Sequence, residues 1–128
     1  MQEENFSITN KTKSTLPRVS FVKIKNAIIG KNYRLSVVFI GKDKSKKLNF
    51  TYRGKNKPTN ILSFPLDKKT GEIFITLDVA KKETKSFDKN LSNFVAFLFI
   101  HGVLHLKGMT HGSRMERKEN EICKKFGI

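Results

Sequence analysis

The segment Leu91 to Lys107 constrains this chain more than any other. It reads Leu-Ser-Asn-Phe-Val-Ala-Phe-Leu-Phe-Ile-His-Gly-Val-Leu-His-Leu-Lys and is apolar almost throughout. It is too long for one strand, and wound as a helix it has no polar face. It therefore predicts a central helix buried on all sides. Its uninterrupted apolar run, Phe94 to Ile100, is too short to cross a bilayer even when extended through Leu106. Gly108 then offers the left-handed residue that ends a helix and turns the chain back.

Two histidines interrupt this segment, and the third and last of the chain follows the glycine: His101, His105 and His111. His101 and His105 are spaced i and i+4, so they share one helix face. As isolated core residues, each brings a ring donor and acceptor into an apolar helix, where an unsatisfied polar group costs roughly 1–3 kcal/mol. Ligation of a metal removes much of that cost. His111, three residues past Gly108, can turn back to the same point. Three imidazoles leave a fourth position open on tetrahedral zinc, as in catalytic rather than structural sites. The spacing H-x3-H-x2-G-x2-H matches the ligand spacing of one metalloprotease group. Those enzymes carry a glutamate general base after the first histidine, and Gly102 stands there instead.

The 128 residues fit one domain, 1–128. Lys and Arg number 26 against 11 Asp and Glu, a formal charge of +15, which favours a polyanionic partner. Nucleic acid fits better than membrane, since there is no lysine-rich amphipathic segment or lipidation signal. Most of the lysines are nevertheless scattered, as a lysine-rich genome alone would place them. A lone cysteine, Cys123, rules out an internal disulfide and reads as a small packed side chain. The Met1-Gln-Glu-Glu-Asn-Phe start lacks the basic-then-apolar order of a signal peptide. The expected location is the cytoplasm.

The remaining elements follow from local pattern. Asn5–Asn10 is a weakly alternating first strand. Thr15-Leu-Pro17 reads as a helix start, with Thr15 as N-cap and a helix running to Gly30. Arg34–Ile40 is a buried strand. Asp43–Tyr52 is a polar helix with Leu48 and either Phe50 or Tyr52 turned inward. Arg53–Asn60 is a basic, turn-rich loop. Ile61–Leu66 and Glu72–Leu77 are short strands, the first at an edge or bulged because Pro65 cannot donate to a ladder. Asp78–Ser86 is a short helix that Asp78 could cap. Ser113–Lys125 is a surface helix with an apolar stripe of Met115, Ile122 and Phe126. The fold class is α+β: a small mixed sheet of about four strands covered by helices, with the histidine-bearing helix at its centre.

The segment His101-Gly-Val-Leu-His-Leu-Lys-Gly-Met-Thr-His111 resembles the signature H-G-x-L-H-L-x-G-x-D-H of the YbeY endoribonuclease, or rRNA maturation factor, family. Tyr52-Arg53 and Pro58-Thr-Asn-Ile-Leu-Ser-Phe-Pro65 are similar to its Y-R and P-T-D-V-L-S-F-P. Gly71-Glu-Ile-Phe-Ile75 and the Met115–Gly127 helix resemble further family segments. The resemblance runs from about Leu48 to the end. It implies a zinc-dependent endoribonuclease specific for single-stranded RNA. Such an enzyme acts at the 3′ end of small-subunit ribosomal RNA and in ribosome maturation and quality control, with the ribosome or a small-subunit ribosomal protein as partner. It also implies one metal ion per chain on His101, His105 and His111, with zinc the default and other divalent transition metals admissible. Arg53 becomes the catalytic group that grips phosphate. Lys55 and Lys57 would track the phosphate backbone, and exposed phenylalanines could stack on unpaired bases.

Two positions depart from the family pattern: Asn60 and Thr110 stand where it has aspartates. Neither is a metal ligand in the resemblance. Both can still hydrogen-bond, but neither supplies negative charge. These departures keep open a non-catalytic assembly factor with a structural metal. Gly102 weighs against a metalloprotease, and the +15 charge weighs weakly against a small-molecule hydrolase.

Overall fold

The computed structural model describes residues 2–3 and 5–128. Met1 and Glu4, part of the start read for signal-peptide character, lie outside the described residues. In chain order the elements are β1 (Gln2–Glu3), β2 (Phe6–Asn10), α1 (Phe21–Ile29), β3 (Arg34–Ile40), α2 (Lys42–Arg53), β4 (Ile61–Asp67), β5 (Thr70–Thr76), α3 (Leu77–Glu83) with a 3-10 turn Thr84–Ser86, α4 (Leu91–Leu106) and α5 (Ser113–Phe126). The class is α+β, as expected. Four full strands and the two-residue β1 form a mixed sheet of order β1-β2-β3-β5-β4. β2, β3 and β5 run parallel; β1 pairs antiparallel with β2, and β4 with β5. β4 is an edge strand, and its register shifts between Pro65 and Asp67, where proline removes a ladder donor.

The core lies on one face of this sheet. Alternation sends Leu35, Val37 and Phe39 of β3 and Ile73 and Ile75 of β5 to that face, and all five are buried. Against them lies α4, also flanked by α1, α3 and α5. Its buried residues run around the whole helix: Phe94, Val95, Ala96, Leu98, Phe99, Ile100, Val103 and Leu104. Phe99 meets Phe21 of α1 edge to face, with ring centroids 4.9 Å apart. Fully burying each such side chain is worth about 1.5–3 kcal/mol. The Asn90 side chain caps the helix, its Oδ1 accepting from Asn93 N at 2.8 Å. Among the described residues no helix is long and apolar enough to cross a membrane.

Gly102 is a point of close approach between α4 and the sheet. A Cβ there would lie 2.8 Å from Ile61 Cδ1, 2.8 Å from Ser63 Oγ and 3.2 Å from Ile73 Cδ1. The residue that excluded a peptidase base is therefore a packing glycine: no carboxylate fits at this contact.

Three expectations need correction. α1 begins at Phe21 after Ser20, not at Thr15. The chain leaves β2 in a side-chain-stabilised turn: Asn10 Oδ1 accepts from Thr12 N at 2.9 Å, and Asn10 Nδ2 donates to Ser14 O at 2.9 Å. These bonds compete with helix, and Pro17 keeps Leu16 out of the α region. In α2 the inward residues are Ser45 and Asn49, while Phe50 and Tyr52 are exposed. The polar pair faces inward because it binds loop backbone. Asp78 lies in the first turn of α3, whose N-cap is Thr76.

Replacing Gly102 by alanine should lower unfolding free energy in urea by about 1 kcal/mol. The overpacking cost of about 1–3 kcal/mol exceeds the helix-propensity gain of about 1 kcal/mol. Gly102→Glu should lose more than about 3 kcal/mol, because it buries a carboxylate without a partner. Unchanged denaturation midpoints would disprove the close packing.

Candidate metal centre

The three histidines converge from two elements. His101 and His105 project from the last turns of α4. Gly108, with φ +102°, turns the chain just beyond the helix, and its N–H donates to His105 O at 2.9 Å. His111 is thereby returned to the same point. Its ring centroid lies 5.0 Å from that of His101 and 4.7 Å from that of His105. One ligand nitrogen from each ring falls within 4.8 Å of the others. For comparison, metal–nitrogen bonds of about 2.0–2.1 Å hold tetrahedral ligands roughly 3.3 Å apart. His111 is the exposed member; the other two are half-buried.

The ring partners define the tautomers. His101 Nδ1 donates to Glu119 Oε2 at 3.2 Å, and His105 Nδ1 donates to the Met109 carbonyl at 3.0 Å. With their protons on Nδ1, neutral rings present bare Nε2 atoms, and these two face each other at 3.0 Å. Two acceptors at this distance repel unless a proton or a metal ion lies between them. Burial first, and the neighbouring His101 second, hold His105 below the ordinary imidazole range. This keeps its ring in the neutral, ligating form. The donor set thus fits a transition-metal ion, and the outward hydrogen bonds are of the kind that orient metal-ligating histidines.

Glu119 was missed as a site residue. It lies on the buried face of α5 with Met115, Ile122 and Cys123 and is 6% exposed. The signal was available: a carboxylate four residues after Met115 and three before Ile122 interrupts the apolar stripe. Cys123 is buried as expected, and burial pushes its thiol pKa up.

The triad opens into a cavity of about 850 Å³. Arg53, the last residue of α2, lines it together with Lys55, Thr59 and Asn60. The inward face of α2 pins this loop: Thr59 N donates to Ser45 Oγ at 2.9 Å, Ser45 Oγ donates to Thr59 O at 3.0 Å, and Asn49 Nδ2 donates to Lys57 O at 2.8 Å. Asn60 Nδ2 donates to Glu83 Oε1 at 2.8 Å. An amide suits that contact, where an aspartate would set two carboxylates together. Thr110 is exposed.

A family model described as endoribonuclease YbeY matches residues 1–127. The chain is similar to an endoribonuclease YbeY of Buchnera aphidicola subsp. Acyrthosiphon pisum, 44% identical over 89 residues, covering 60% of this chain and 57% of that relative's length. It is 34% identical to an endoribonuclease YbeY of Ehrlichia chaffeensis over 96% of this chain and 87% of the relative. The solution structure of a Thermotoga maritima protein has the same fold, with TM-score 0.66 and 23% identity, over 94% of this chain and 88% of that one.

Glu119→Ala should weaken zinc binding roughly 10–100-fold in a chelator competition titration. His105→Ala should abolish stoichiometric binding. Full zinc retention by the His105 variant would refute the three-histidine centre.

Proposed function

Because the chain belongs to the endoribonuclease YbeY family, we propose that it is a zinc-dependent hydrolase of single-stranded RNA. In this reading residues 1–128 form one domain, and the protein acts in the cytoplasm on ribosomal RNA. Its role is maturation of the 3′ end of small-subunit ribosomal RNA and ribosome quality control, with the ribosome or a small-subunit ribosomal protein as partner. The observation that carries the reading is one cavity holding both a triad of imidazoles with two bare nitrogens face to face and an arginine.

His101, His105 and His111 would hold the metal. When bound, it supplies Lewis-acid stabilisation of phosphoryl oxygens and activates water. The remaining work falls to this chain's own residues. Glu119 and the Met109 carbonyl hold the protons of His101 and His105 on Nδ1. Arg53 presents a planar fork of donors that grips two phosphate oxygens and offsets the charge that builds there during cleavage. Lys55 adds positive charge beside it. Asn60 leaves the position next to this cluster uncharged. That favours the approach of a phosphate, in a catalytic site and in an RNA-holding assembly factor alike.

The deciding experiment pairs metal content with cleavage of labelled single-stranded RNA on one preparation, with His105→Ala purified in parallel. Zinc near one per chain, and activity lost in the variant, is the expected result. Zinc without cleavage would instead establish a non-catalytic assembly factor.

Arg53→Ala should reduce cleavage at least 100-fold, a value on the order of a lost oxyanion donor, while zinc stays bound. Equal rates would remove Arg53 from the mechanism. RNA affinity should fall with salt at a log–log slope of about −2 for three phosphate contacts. A flat dependence would exclude backbone recognition.

A further inference from the structure

We propose that Phe87 and Phe97 form a stacking subsite for an unpaired nucleobase beside the phosphate that Arg53 holds. The subsite rests on the reading of the cavity as an RNA-cleaving site.

Phe87 precedes α4 and is 47% exposed, one of few large apolar side chains left in solvent. Its ring lies at 4.9 Å and 32° from that of Phe94, which is 1% exposed and fixed in the core. Phe94 in turn stacks on Phe97, with centroids 6.4 Å apart. Phe87 and Phe97 both line the cavity that holds the triad. Phe97 is half-buried, and Lys89 Nζ lies 5.8 Å from its ring centroid.

The lining thus divides by chemistry. α2 and its following loop supply cations, α4 and its following loop supply imidazoles, the segment from Phe87 to Phe97 supplies aromatic rings, and α5 adds the carboxylates of Glu116 and Glu119, the latter bound to His101. An aromatic surface backed by a rigid ring and flanked by a lysine suits a planar base whose own backbone is anionic. The cations on the cavity wall formed by Arg53 and Lys55, and the chain's +15 charge, select that occupant over an apolar protein side chain.

The test uses the full chain after chelator treatment, so that binding is read without cleavage. Single-stranded RNA carries 2-aminopurine at successive positions, and stacking quenches its fluorescence. The expected result is quenching at one or two positions, lost in Phe87→Ala and restored in Phe87→Tyr. RNA affinity should drop about ten-fold in Phe87→Ala. An abasic residue at the quenched position should weaken wild-type binding by the same factor and Phe87→Ala binding no further. Because Phe87 is half-exposed and its ring packs on Phe94, the alanine variant should stay fully folded with only a small drop in its unfolding midpoint.

Absence of quenching, or equal quenching in Phe87→Ala, would overturn the subsite and leave Phe87 as a contact for a protein side chain. In that case RNA cleavage by the zinc-loaded wild type would still support the nuclease reading. Conversely, quenching that depends on Phe87 in a protein that never cleaves RNA would support the subsite and remove the nuclease.

Discussion

The burial of α4 is the constraint on which the rest of this structure depends. A helix with no polar face must be surrounded, and the sheet, α1, α3 and α5 surround it. Close packing at Gly102 brings its backbone to the edge of contact with Ile61, Ser63 and Ile73. Cover is incomplete at the first turn and along the cavity, where Phe97, His101 and His105 stay half-buried. The imidazoles therefore sit at a boundary. The core side fixes their rings through Glu119 and the Met109 carbonyl, and the open side leaves their Nε2 atoms to a ligand.

Much of this was legible in the sequence because some signals are local and strong. An apolar run of this length has one comfortable solution, so α4 was placed within a residue of its observed ends. Strand β3, rich in β-branched residues, was read with its observed bounds. Pro65 announced the bulged edge because a missing N–H has the same meaning in every sheet. The histidine spacing announced the triad because i,i+4 geometry holds wherever a helix forms.

What escaped the sequence depends on distant partners. The start of α1 turns on how Asn10, Thr12 and Ser14 bind one another, and no helical periodicity reports that. Ser45 and Asn49 look like solvent-facing polar residues until the loop at 57–59 folds onto them. Glu119 stands out on a helical wheel as an acid within the apolar stripe of α5, but its partner, His101, appears only once α5 docks. Arg53 illustrates the same limit. Its place on the cavity wall follows from the position of α2, and only resemblance to a family singled it out beforehand.

The triad also spans little chain. Its ligands lie between residues 101 and 111, whereas Arg53 and Glu119 reach the site only through tertiary folding. An unfolded chain thus retains a local chelating segment, and a metal ion would bind it with part of its native affinity. Ligand linkage then stabilises the fold by less than the native dissociation constant alone implies, because the denatured ensemble is stabilised too. The same locality lets an ion organise the end of α4 before the parallel strands, with their long crossovers, have paired. A captured ion would act early in folding as a nucleus and late as a cofactor.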